Sequence, residues 1–472
     1  MRRFTQAFWQ NIAIGTLNPD IIGRSRTALI KGVKVAERWP RLDPHYRTQL
    51  GQLRRLYEAN HPATELTLRL LRRHPNVRRA LIRNLIINAT WRGRELRQEF
   101  AQRHGVVPPY LMVISPTMHC NLRCKGCYAA EYPKGPDPLS FDDLNRLISE
   151  AKEMGIFFFT ISGGEPFVRK DLLELYRQHN DCYFLIYTNG TRIGEREVAV
   201  MRELGNFTPA ISIEGNEAMT DDRRGPGVYN RVKETMTRLN EAGLLFGFSA
   251  TAMRSNAEYF LREDFLREMI SRGCLYGWFF IFVPVGKDNT VDLMVTPEQR
   301  DRLRHFNTIH IRRTKPIFVA DFWNDGHLAG GCMAGGELYF HVNFRGDLEP
   351  CVFIHFATHN IREIWNKGGH LADVLKSPFF RAIRERHRRD PNLLRPCMIV
   401  DHNQWLEECV TGCNARPTHP GAEEVIQSPL CHDVRAWAAA YVPLADQALE
   451  KDGDYYAIFS REETTPISGA IH

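Results

Sequence analysis

Nowhere among these 472 residues is there a run of about 20 predominantly apolar residues, so a helical membrane-spanning segment is excluded. The stretch Phe4 to Pro19, after Arg2 and Arg3, superficially suggests a secretory signal. Gln6, Gln10, Asn11 and Asn18 break its apolar core, and no small-residue cleavage site follows. No recognised nucleic-acid-binding fold is apparent, which leaves nucleic acid disfavoured as a partner. Acidic residues are scarce at the start: through Gly105 there are 7 Asp/Glu against 21 Lys/Arg, although the whole chain carries only +7. Composition is otherwise that of an ordinary globular protein, with 43% hydrophobic and 25% charged residues.

Cysteine is what the chain does have. Three of its 11 cysteines fall in His119-Cys-Asn-Leu-Arg-Cys-Lys-Gly-Cys-Tyr128, spaced C-x3-C-x2-C. Cys120, Cys124 and Cys127 on one tight loop can hold three irons of a [4Fe–4S] cube and leave the fourth open to a ligand; four thiolates normally close such a cluster. A structural zinc is the plain alternative for any cysteine cluster. Against it, no fourth Cys or His completes a tetrahedral set at finger-like spacing, and His119 directly adjoins Cys120.

A second motif lies one strand downstream. Phe157 to Ser162 is an apolar, β-rich run ending in Gly163-Gly164-Glu165-Pro166. Further runs follow: Cys182–Tyr187 before Thr188-Asn189-Gly190, Pro209–Ile213 with Ser212 and Glu214 at its end, then Leu244–Ala250 and Gly277–Val283. With Tyr110–Ser115 ahead of the cysteines, these make six predicted strands. Helical patterns separate them; Ser140 and Asp143 form a capping box at the start of one. Strands alternating with helices predict parallel βαβ units.

The cysteine spacing followed by an aromatic residue, Gly-Gly-Glu-Pro, Thr-Asn-Gly, Ser-Ile-Glu-Gly and Arg224-Gly225, in that order, resemble the radical S-adenosylmethionine (radical SAM) superfamily over about Tyr110 to Val285. The resemblance implies an α/β partial (β/α)6 barrel, a [4Fe–4S] cluster on Cys120, Cys124 and Cys127, and S-adenosylmethionine (SAM) on the open iron. It implies SAM contacts from Gly163, Gly164, Glu165, Pro166, Asn189, Ser212, Glu214 and Arg224, with Arg223 read as a solvated charge. The activity implied is reductive cleavage of SAM to a 5′-deoxyadenosyl radical that takes hydrogen from an unactivated carbon. A reducing donor of flavodoxin or ferredoxin type and a cytoplasmic setting go with it, since a low-potential cluster needs a reducing, oxygen-poor compartment.

Beyond the barrel, Cys332 precedes two short strand patterns joined through Gly346, and Cys351 follows that glycine by five residues. This resembles the SPASM and twitch extensions that hold auxiliary clusters. It implies a second [4Fe–4S] cluster on Cys332, Cys351 and Cys397, with Cys431 or substrate at the fourth position. The C-x2-C pair of a full SPASM domain is absent. Cys182 and Cys274 read as buried packing residues, and Cys409 with Cys413 as one helix face.

The expected organisation is a basic, mostly helical extension over 1–107, the barrel over 108–315, the auxiliary-cluster region over 316–452 and a loosely ordered tail over 453–472. The extension reads either as a cap on the barrel with solvated arginines or as a peripheral contact of residues 1–105 with anionic membrane; Trp9, Trp39 and Trp91 add aromatics. For the substrate, the basic aromatic extension and Phe-rich strands lean toward a membrane lipid or other apolar chain, with a peptide or protein, which SPASM-like enzymes frequently modify, as the alternative. A non-catalytic iron–sulfur electron carrier is the reading from a different class.

Overall fold

A computed structural model describes residues 23, 25–38, 44–130, 132–133, 135–387 and 389–460. Trp9, Trp39, the signal-like run to Pro19 and residues 461–472 lie outside the described residues.

Six parallel strands follow one another in the sheet: β1 Leu111–Ile114, β2 Phe158–Ile161, β3 Tyr183–Thr188, β4 Phe207–Ser212, β5 Gly247–Ala252 and β6 Tyr276–Ile281. Each coincides with a predicted strand to within three residues, because β-branched and aromatic runs bounded by turn residues pack well on a pleated surface. The intervening helices are anchored as their termini specify. Ser140 accepts the Asp143 N–H while Asp143 accepts the Ser140 N–H at the start of Phe141–Glu153.

A seventh parallel strand, β7 Phe318–Asp321, pairs with β6 and was not anticipated. Only four residues long, with Phe318 exposed, it carries too little alternation to be recognised. On the other edge β8 His341–Val342 pairs parallel with β1 and antiparallel with β9 Asp347–Glu349, which is the predicted hairpin. Beyond the hairpin β10 His359–Asn360 pairs antiparallel with β9, so the sheet runs from β10 through the hairpin and the barrel strands to β7, open at both ends: a partial barrel.

The hairpin is docked by a buried polar chain. Ser115 Oγ lies 2.8 Å from His341 Nε2, and His341 Nδ1 lies 2.6 Å from Glu349 Oε2. Glu349 Oε1 accepts hydrogen bonds from Asn343 Nδ2 and Thr418 Oγ1. Every member is buried and partnered, the condition under which such a network fixes one arrangement.

The basic extension forms the floor of the barrel, and its residues from Arg69 to Asn88 meet strands β6 to β3 in reverse order. Arg69 donates to the Ile270 and Cys274 carbonyls ahead of β6, and Arg73 to Gly273. The His74 N–H reaches Gly243 before β5, and Asn76 the Arg202 and Glu203 carbonyls before β4. Asn84 and Asn88 hold the turn before β3, Arg97 the Gly155 carbonyl before β2, and Thr90 the Tyr110 hydroxyl before β1. The expectation of solvated arginines is corrected here. Arg97 is buried, and Arg69 and Arg73 cap carbonyls that a helical layer without long donors would leave bare. No helix among the described residues is long and apolar enough to cross a membrane.

The C-terminal boundary differs too. Helix Pro429–Ser460 runs past residue 452, and Tyr456 is buried against Arg304 and His327. The tail from 453 to 460 is therefore helical, because Tyr455 and Tyr456 have a surface to pack on.

Candidate functional site

The cysteine loop leaves β1 and folds back over the strand ends. Gly126 adopts φ +62° and its backbone N–H donates to Asp288 Oδ2 at 3.0 Å; a Cβ there would lie 2.6 Å from the Phe282 ring. The loop is also tied to helix Glu217–Arg224: the Lys125 N–H donates to the Arg223 carbonyl, and Arg223 Nε to the Lys125 carbonyl.

Gly163 and Gly164 pack directly beneath this loop. The Gly164 N–H donates to the Thr117 carbonyl and the Glu165 N–H to that of His119. A Cβ on Gly164 would sit 2.3 Å from the His119 carbonyl oxygen. The close approach that glycine permits is thus to the backbone carrying the cysteines. Glu165 is fully buried: Oε1 accepts from the Phe167 N–H and Thr188 Oγ1, and Oε2 from the Asn189 N–H at 2.7 Å. Burial pushes its carboxyl up, against the pull of these donors. A carboxylate offers about four acceptor sites, so one remains for an ammonium group. Asn189 joins the same corner, its Nδ2 3.1 Å from Asn121 Oδ1 and 4.0 Å from Cys120 Sγ.

Glu214, at the end of β4, is likewise buried. Its Oε1 accepts from Arg223 Nη1 at 2.6 Å and from Arg224 Nε and Nη2 at 2.8 and 2.5 Å, while Oε2 accepts the Thr251 N–H. Burial alone would raise the Glu214 carboxyl; Arg223 and Arg224 hold it below the usual carboxylate range. Arg223 is therefore no solvated charge. It shares Glu214 with Arg224, and both guanidinium groups act electrostatically on Cys127. The signal was present in the sequence, since two adjacent arginines at a helix end are well placed to clamp one buried carboxylate. Ser212 lies beside Ser249 of β5, partly exposed.

The second cysteine set comes together between β7 and the hairpin. Cys332, Cys351 and Cys397 line one cavity of about 320 Å³, with Trp278, Phe322, Trp323, Met333 and Phe353 among its apolar walls. Cys431, in the first turn of helix Pro429–Ser460, does not line it. Cys182 and Cys274 are fully buried in the core as packing residues, and Cys409 is buried on helix Asn403–Gly412 with Cys413 capping that helix.

Both triplets share a local geometry. A backbone N–H two residues on donates to the sulfur: Leu122 to Cys120, Phe353 to Cys351 and Ile399 to Cys397. Such donors stabilise thiolate, which these burials otherwise disfavour: desolvation lifts the Cys120 thiol to about 11 and that of Cys397 to about 12. Bound metal deprotonates such thiols outright. A single zinc fits poorly, because tetrahedral sulfurs 2.3 Å from zinc are about 3.8 Å apart. Among the described residues only His179, Asp181 and Cys182 bring three ligand atoms within 4.8 Å of one another; neither cysteine triplet does. The N–H···S donors suit an iron–sulfur core.

Barrel, glycine-lined cysteine loop and arginine pair define a protein that works with a cluster and a bound nucleotide. Residues 114–259 match the Radical SAM superfamily, and the similar relatives carry named enzyme activities, which speaks against the electron-carrier reading. The superfamily uses a [4Fe–4S] cluster and SAM. The chain is 26% identical to AdoMet-dependent heme synthase of Oleidesulfovibrio alaskensis over 67% of its own length and 85% of that protein. It is 27% identical to PqqA peptide cyclase of Rhodopseudomonas palustris, over 70% and 88%. Among solved structures, Streptococcus suis SuiB bound to S-adenosylmethionine superposes with a TM-score of 0.53 at 20% identity, over 64% of this chain and 75% of that one, a likeness of fold.

Proposed function

We propose that this enzyme holds its reducing cluster on Cys120, Cys124 and Cys127 and a second cluster on Cys332, Cys351 and Cys397, and oxidatively modifies an apolar or aromatic side chain of a peptide. The observation that carries this reading is the cavity. Its walls are mostly apolar and include the rings of Trp278, Phe322, Trp323 and Phe353, the second cysteine set faces it, and exposed Phe318 and Leu328 stand at its edge. Similar relatives bear different names, heme synthase and peptide cyclase, so the substrate class is read from the cavity; the peptide cyclase supports the peptide choice. Arg69, Arg73 and Arg97 of the floor are engaged by barrel carbonyls, which weakens the case for membrane contact and, with it, for a lipid substrate.

Cluster and SAM, when bound, supply the electron and the 5′-deoxyadenosyl radical that removes a hydrogen atom from substrate. The chain's own residues position and exclude. Arg224, held by Glu214 through Nε and Nη2, is the candidate partner of the SAM carboxylate, and Glu165 has an acceptor site left for the ammonium. Gly163, Gly164 and Pro166 set the backbone of that turn, and Asn189, Ser212 and Glu214 border the nucleotide side. Apolar walls exclude water from the reacting carbon. A flavodoxin- or ferredoxin-type donor in a reducing cytoplasm completes the reading.

The test is 5′-deoxyadenosine release by the anaerobically reconstituted enzyme with SAM and dithionite. Peptides bearing Tyr, Trp, Leu or Val, including any encoded beside its gene, should stimulate it. Stimulation by lipid extract alone would reject the peptide assignment.

A further inference from the structure

We infer that Tyr339 donates a hydrogen bond to the Cys351 thiolate and thereby raises the reduction potential of the second cluster. This rests on the two-cluster reading above. The Tyr339 hydroxyl lies 2.9 Å from Cys351 Sγ, and both residues are buried, at 3% and 8% exposure. Tyr339 lines the same cavity as Cys332, Cys351 and Cys397. The ring is fixed from both sides of the chain: the Tyr339 N–H donates to the Met333 carbonyl, and its own carbonyl accepts the Gly336 N–H. Gly336 sits at φ +81°, closing the turn that aims the phenol inward.

A thiolate bound to iron offers lone pairs and no proton, so the phenol must be the donor. Cys351 already accepts the Phe353 N–H at 3.5 Å. A second, shorter donor draws further charge from that sulfur. Reduction adds negative charge to the cluster, and a donor aimed at a ligand sulfur favours the more negative state. The primary triplet sits on a loop partly open to solvent. The second set lies in a mostly apolar pocket, where burial opposes added charge. Tyr339 offsets that opposition at one corner. The consequence is a second cluster better able to accept an electron left on the substrate after hydrogen loss. Tyr339 is a positioning residue in this account, acting through the cluster.

Tyr339→Phe removes the hydroxyl and keeps the ring. Holoprotein is reconstituted anaerobically, its iron and sulfide counted, and its potential read by electron paramagnetic resonance during a redox titration. Wild type and Tyr339→Phe should both hold about eight irons per chain, with the second cluster of the variant reducing at a more negative potential. In wild type alone, exchange into deuterium oxide should remove a strongly coupled proton from the second cluster's electron–nuclear double resonance spectrum; this needs no variant to fold. Equal potentials at equal iron content, with no exchangeable proton, overturn the inference and leave the two-cluster reading standing. A wild type with about four irons overturns both. A phenolate-to-iron absorption lost in Tyr339→Phe would make Tyr339 a ligand instead, and also overturns it.

Discussion

The Tyr128 ring meets the Phe353 ring edge-on, with centroids 5.0 Å apart and planes at 61°. Tyr128 follows the third cysteine of the barrel loop directly, and Phe353 lies two residues after Cys351. The two cysteine sets thus adjoin across a single aromatic pair, and Phe353 also packs on Phe322 and Trp323 in the cavity wall. Tyr128 is held at its other end by a 2.6 Å hydrogen bond to Ser162, next to the glycine turn.

Phe353→Ala should therefore loosen the wall between nucleotide site and cavity. Truncating this half-buried ring is expected to cost about 2 kcal/mol, less than a fully buried Phe. Both clusters should still assemble, while the ratio of 5′-deoxyadenosine to modified product rises as abstraction becomes uncoupled. An unchanged ratio would mean that the ring only fills space.

Alanine at Cys120, Cys124 or Cys127 should remove about four of about eight irons and abolish SAM cleavage. Alanine at Cys332, Cys351 or Cys397 should remove the other four, leave slow substrate-free SAM cleavage intact and stop product formation. Cys431→Ala should lose no iron, since Cys431 stands away from the cavity. Iron analysis and chromatography of deoxyadenosine read all three cases.

Glu214→Gln leaves two guanidinium groups facing a neutral amide in a buried site. Breaking one partner of such a cluster is expected to cost about 3 kcal/mol. The freed arginines should also misplace the SAM carboxylate, raising KM for SAM at least tenfold. A variant with wild-type melting temperature and KM would show that Glu214 neither anchors nor orients them.

His179 and His355 are buried, and burial pulls both imidazoles from 6.5 to about 4. Between these values the unfolded chain binds protons that the folded protein refuses, so stability falls as pH drops from 6.5 toward 4. Each contributes at most roughly 3 kcal/mol over that window, all of it present above pH 6.5. Melting temperatures at pH 7, 6 and 5 should decline, and His179→Gln with His355→Phe should flatten that decline.

The cysteine loop, the Gly-Gly-Glu-Pro turn and six strands were legible in the sequence because each is a local pattern: fixed spacing, strand-end glycines, apolar runs between turn residues. Phe318–Asp321 was not, because four residues with one exposed ring become a strand only by pairing with β6. Arg223 was misjudged for a related reason. Its partner Glu214 is nine residues away in sequence, and only the turn between β4 and the next helix brings the charges together. Glu165 was read as a ligand group alone, whereas its carboxylate also braces the Thr188-Asn189 turn, a contact made across two strands.

By itself, then, the sequence determined the chemistry available: three sulfurs on one loop, a glycine turn one strand later, and a parallel barrel to carry them. Those depend on neighbours along the chain. The tertiary structure alone decided that the basic extension is a floor in which Arg69, Arg73 and Arg97 cap strand-end carbonyls, that Cys431 stands apart from Cys332, Cys351 and Cys397, and that Tyr339 meets the Cys351 sulfur. Each joins groups distant in the chain, and such contacts are set by how the elements pack rather than by any residue's own preference.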